Sequence, residues 1–119
     1  MRANSKNYIK SKFPYLLGNK ILTSRMWESK KDKNNLDMWW FKLGKTDLEK
    51  YEYIIFAGAL DYENKKFEIF KVPSKYFLNN IDKIDITEKG WINLYLSFNE
   101  YIDLRNKSNL SFKQFIYKL

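Results

Sequence analysis

Few residue types in this chain can do chemistry. It holds no histidine and no cysteine. That removes the imidazole base, the Ser-His and Cys-His dyads, and the thiolate and imidazole ligand sets of zinc sites. Any catalysis falls to carboxylates with a hard cation such as Mg²⁺, or to lysine, serine and tyrosine. Within that set, Glu28-Ser29-Lys30 puts an acid and an amine two residues apart. On a strand they share one face. Asp32 and Asp37 are the nearest further acids, and no Asp or Glu precedes Glu28.

The second chemical feature is charge. The 119 residues carry a net +8, from 22 basic and 14 acidic side chains. Residues 1–33 hold nine basic residues, Arg2, Lys6, Lys10, Lys12, Lys20, Arg25, Lys30, Lys31 and Lys33, against two acids, Glu28 and Asp32. That third is therefore +7, and the other 86 residues, with 13 basic and 12 acidic, are +1. A compositional lysine bias would spread evenly and would not strip acids from one segment. The asymmetry predicts a polyanion-facing surface, with nucleic acid or a nucleic-acid-binding protein as partner.

Aromatic residues are the third. They make up 18% of the chain, including Trp27, Trp39, Trp40 and Trp91. A small sheet protein buries most of its large rings to gain apolar area. Neighbouring strand residues face opposite ways, so one of Trp39 and Trp40 belongs to the core and the other is exposed, or covered by a helix or partner. Trp27 and Trp40, beside Arg25 and Lys42, are the candidates for a base-stacking or hot-spot contact.

These residues need elements to position them. Length and composition predict a single domain over 1–119. Its fold class is α+β: one mainly antiparallel sheet with short flanking helices. A basic helix is expected over 4–12, ended by Pro14. Lys20 to Trp27 reads as a strand, followed by a polar loop over Lys30–Asn35 and an opposing strand from Leu36 to Leu43. Thr46-Asp47-Leu48-Glu49 matches a capping box. Tyr53 to Leu60 is apolar throughout, as a strand buried on both faces would be. Phe67 to Val72 is its hairpin partner, stopped by Pro73. Ser74 caps a helix over Lys75–Asn79, Trp91 to Leu96 is a further strand, and Ser111 caps a C-terminal helix presenting Phe112, Phe115, Ile116 and Leu119. The lack of cysteine favours a reducing, cytoplasmic setting. The polar start, Met1-Arg2-Ala3-Asn4, is not that of a leader peptide. No apolar run approaches the ~20 residues of a membrane span.

Residues 26–78 resemble a stretch of the restriction-endonuclease-like superfamily, the PD-(D/E)XK nucleases. The features occur in order: Glu28-Ser29-Lys30, Trp39-Trp40-Phe41-Lys42-Leu43, Tyr53-Ile54-Ile55-Phe56, and Phe70-Lys71-Val72-Pro73-Ser74. The resemblance implies a restriction-endonuclease-like half-core. It also implies a site in which two carboxylates hold Mg²⁺ and a lysine steadies the developing charge. Glu28 and Lys30 would be its catalytic residues. The family's other acid lies upstream, often after a proline, but here Pro14 is followed by Tyr15. One carboxylate is a poor Mg²⁺ site.

Three readings follow. The first is a non-catalytic nuclease-like binder that keeps the basic surface and needs no cofactor. The second is an inhibitor of a bacterial defence nuclease, of the anti-CRISPR or anti-restriction type carried by phages and mobile elements. The third is a Mg²⁺-dependent nuclease whose second acid comes from Asp32, Asp37 or a homodimer partner.

Overall fold

The strand signals assemble into two sheets, not one. The computed structural model describes residues 19–24, 26–27, 38–61, 66–97, 100–103 and 110–117. In chain order the strands are β1 (Lys20–Ser24), β2 (Met26–Trp27), β3 (Met38–Gly44), β4 (Tyr53–Asp61), β5 (Lys66–Pro73), β6 (Asp85–Ile86) and β7 (Trp91–Ser97). Two short helices, α1 (Asp47–Lys50) and α2 (Ser74–Asn79), and two 3₁₀ turns, Ile81–Lys83 and Lys113–Phe115, complete the described elements. One sheet has the order β1-β4-β5 and the other β2-β3-β7-β6. The α+β class holds, with sheet predominating.

The expected strand from Lys20 to Trp27 is split between the sheets. Its first half, β1, pairs parallel with β4, from Lys20↔Ile54 to Ser24↔Gly58. Only Met26 and Trp27 pair antiparallel with β3. The reason lies in β4. Ile54 to Ala59 are buried without a break, and a strand buried on both faces must also have its backbone bonded along both edges. β5 covers one edge, from Tyr53↔Pro73 to Asp61↔Lys66, and β1 covers the other.

Side-chain alternation on β4 builds two cores. Ile54 and Phe56 join Trp39, Phe41, Leu43, Phe70, Val72, Phe77, Ile92, Leu94, Leu96 and Phe112 in the main cluster between the sheets. Ile55 and Ala57 join Ile21 and Ile69 on the opposite face, with Phe67 and Tyr117 against them. Lys71 reaches over the rings of Tyr53 and Tyr117 on that side, at 4.6 and 5.7 Å.

Trp39 ties the layers together. Its indole lies flat on the β4 backbone at Gly58, where an added Cβ would come within 2.4 Å of the ring. Its Nε1–H donates to the Ala59 carbonyl at 3.0 Å. That carbonyl stands at the register shift between Ala59 and Asp61, and such a bulge releases a backbone acceptor from the ladder.

The helix ends differ from the capping expectations. Thr46 and Pro73 are the N-caps, and neither makes a side-chain capping bond. The Asp47 carboxylate instead accepts the Gly44 N–H at 3.0 Å. The Ser74 hydroxyl donates to the Tyr51 carbonyl. The expected C-terminal helix is not formed: Ser111 bridges Ile102, Ile116 bridges Phe70, and only a 3₁₀ turn lies between them. Edge pairing to β5 satisfies backbone groups that a helix of this length, below the ~12 residues needed for independent stability, would hold poorly. The expected helix over 4–12 and the loop over 30–35 lie outside the described residues.

Candidate functional site

Alternation along β3 sends Trp39, Phe41 and Leu43 into the core and leaves Trp40 and Lys42 exposed on the other side. β7 is paired with it residue for residue: Trp40↔Tyr95, Lys42↔Asn93 and Gly44↔Trp91. There Ile92, Leu94 and Leu96 point inward, so Trp91, Asn93 and Tyr95 share the outer face with Trp40 and Lys42. The result is a sheet face bearing three aromatic side chains, a lysine and an amide.

Local contacts order this face. Trp40 meets Tyr95 edge to face, with centroids 5.8 Å apart. The Trp40 Nε1–H donates to Asn93 Oδ1 at 3.3 Å, and Asn93 Nδ2 donates to Asp85 Oδ2 at 3.5 Å. Gly44 leaves the position opposite Trp91 without a side chain, and the Lys42 ammonium reaches diagonally to lie 4.7 Å from the Trp91 ring centroid. Diagonal reach of this kind is usual for long side chains across an antiparallel pair. Trp40 and Trp91 remain 38% and 42% exposed.

The backbone beneath is held from both edges. β2 pairs only with Met38 and Trp39, and past its end the Ser24 hydroxyl accepts the Trp40 N–H at 3.1 Å. On the far side, Asp103 is fully buried and its Oδ1 accepts the Tyr95 N–H at 3.1 Å.

Of the residues picked out in the sequence, Trp40 is on this face, as the alternation argument expects. Trp27 is placed by its backbone, opposite Met38 at the sheet edge. Lys20 is on the other sheet, 4.0 Å from the Asp47 carboxylate. Arg2, Lys6, Lys10, Lys12, Arg25, Glu28, Lys30, Lys31 and Lys33 lie outside the described residues, as do Asp32 and Asp37. Among the described residues no three acids converge to hold a metal ion. Also among them, no helix is long and apolar enough to cross a membrane.

Sequence reasoning missed Trp91, Asn93 and Tyr95 as surface residues. The signal was present in Trp91-Ile92-Asn93-Leu94-Tyr95-Leu96, whose strict alternation puts Ile92, Leu94 and Leu96 on one face and the two rings with the amide on the other.

A groove of about 580 Å³ runs between α1, the start of β4 and α2, lined by Tyr51, Tyr53, Leu78 and a balanced set of charges, Glu49, Glu52, Lys50 and Lys75. The Ser74 hydroxyl at its wall donates to the Tyr51 carbonyl. No family model matches the chain, and no curated protein or solved structure is significantly similar to it.

Proposed function

We propose that the protein is a small, non-catalytic nucleic-acid binder, a reduced relative of the restriction-endonuclease-like nucleases. The observation that carries this reading is the outer face of β3 and β7, where exposed Trp40 and Trp91 stand with Lys42 between them in sequence and space. Exposed rings and a cation on a rigid sheet are what unpaired bases and phosphates require. The strongly basic first third of the chain supports it. Lys30, Lys31 and Lys33 fall between Trp27 and Met38, which pair with each other at the edge of this same sheet. Their charge supplies the long-range attraction, and the aromatic face supplies the short-range contact.

The test is nucleic-acid binding by the purified chain at low and moderate salt with Mg²⁺ present, followed by inspection of the nucleic acid. Binding that weakens steeply with salt, with the strands intact, is the expected result. Cleavage that Glu28→Ala abolishes would replace this reading with the metal-dependent nuclease. Absence of binding at every salt concentration, with a protein partner retained after nuclease treatment, would replace it with the inhibitor of a nucleic-acid enzyme.

A further inference from the structure

We infer that the outer face of β3 and β7 selects single-stranded over double-stranded nucleic acid, with Trp40 and Trp91 each stacking on a separate base. This rests on the nucleic-acid-binding reading above and names the form of ligand that the face takes.

The geometry of the face carries the inference. The register places Trp40 and Trp91 four residues apart along the paired strands, about 13 Å at the usual strand rise. The two indoles are therefore independent platforms, not one stacked pair. Bases held in a duplex hide their faces against each other, and only an unpaired strand can offer them to a protein ring. The Trp40 ring is held by its edge contact to Tyr95 and by the bond to Asn93. The Asn93 amide is engaged by Trp40 on one side and Asp85 on the other. At Trp91 the ammonium of Lys42 lies over one face of the ring, so a base stacked on the other face would bring its phosphate near a cation.

Single-stranded nucleic acid fits this surface better than a duplex for a second reason. The face is a short sheet with exposed rings on it. A duplex is read by an element that enters a groove, such as a helix or a projecting ribbon, and no described helix exceeds six residues, the length of α2.

The experiment compares a labelled oligothymidine strand with a duplex of equal length, using the full chain and its Trp40→Ala, Trp91→Ala and Trp40→Phe variants. The strand should bind at least about tenfold more tightly than the duplex. Each alanine variant should lose roughly tenfold for the strand, the loss expected for one stacked base, and little for the duplex. Trp40→Phe keeps a stacking ring and loses only the bond to Asn93, so it should bind the strand nearly as the parent does. The melting curve of each alanine variant, read beside its affinity, separates a lost contact from a misfolded chain. Equal, salt-sensitive binding of strand and duplex, unaffected by either alanine substitution, would overturn the inference and leave nucleic-acid binding standing. No binding of either probe at low salt would overturn both. Conversion of a dimer to a monomer by Trp40→Ala, with strand binding unchanged, would overturn the inference by making the face a self-association surface.

Discussion

Where Trp39 lies on Gly58, the two sheets approach closely. A Cβ at position 58 would stand 2.4 Å from two indole carbons, and both partners are buried. Neither can move away without breaking the Nε1–H bond to Ala59 or the β4 ladder. Overpacking a closed site of this kind costs about 3 kcal/mol. Gly58→Ala should therefore lower the melting temperature by roughly 10 °C, and an unchanged melt would mean that the indole does not rest there. Tyr101 makes a second prediction. Its φ of 56° is rare outside glycine and asparagine, yet its ring stacks parallel to Trp39 at 6.3 Å and meets Phe70 at 5.4 Å. Burial and the nearby charge of Glu68 disfavour its phenolate and hold its pKa above the ordinary 10.0. Below pH 10 the phenol is neutral in both folded and unfolded chains and has no effect on pH dependence. Above that, the unfolded chain ionises first and binds fewer protons, so stability falls as pH rises until the folded group ionises too. Tyr101→Phe keeps the ring and should reduce this alkaline loss, read as urea midpoints across a pH series. Glu68→Gln should move the Tyr101 titration back toward 10.0.

Among the elements, β1 and β2 repay the closest comparison with the sequence. The chain passes from one sheet to the other between Ser24 and Met26, and the Ser24 hydroxyl continues the pairing of β3 where β2 stops. Ser24→Ala would leave the Trp40 N–H without this acceptor, at a cost of about 1 kcal/mol. Because the bond sits at one position, amide hydrogen exchange should quicken at Trp40 and not across the Phe41–Leu43 ladder. Equal acceleration along all of β3 would show that Ser24 serves general packing instead. The crossing was not legible in the sequence. Lys20 to Trp27 contains no glycine or proline, and parallel pairing of β1 with a strand some thirty residues away leaves no local signature. What was legible follows from periodicity. The unbroken apolar run of β4, its hairpin with β5 and the strand β7 all appear as read. The alternation at Trp39-Trp40 separated a core indole from an exposed one. The C-terminal segment misled because Phe112, Phe115 and Ile116 fit a helical stripe over too few residues to decide between helix and edge pairing. The face completed by Trp91, Asn93 and Tyr95 required the β3–β7 register, which no single segment encodes.

At the scale of the whole molecule, the question is how two unlike surfaces divide the work of binding. The first third of the chain carries +7 and the rest +1, whereas the described sheet face contributes rings, one lysine and an amide. Charge and stacking leave different signatures in solution. Each phosphate neutralised by a lysine releases condensed counterions, so it steepens the fall of affinity with salt; a stacked base does not. Replacing Lys30, Lys31 and Lys33 together with glutamine should therefore flatten the plot of log affinity against log salt by about 2 to 3 units of slope, if all three face phosphates. The loss should be the same for every base sequence, because phosphate contacts position the chain and do not read bases. Trp40→Ala should do the opposite, lowering strand affinity while leaving the salt slope as it was. Combining the two sets should give additive losses, since contacts made separately along a strand do not share partners. A triple lysine variant with the parent's slope would remove this cluster from the interface and leave the remaining basic residues of the first third to supply the attraction. A variant whose loss depended on base sequence would mean instead that these lysines reach base edges, which the division between charge and stacking does not allow.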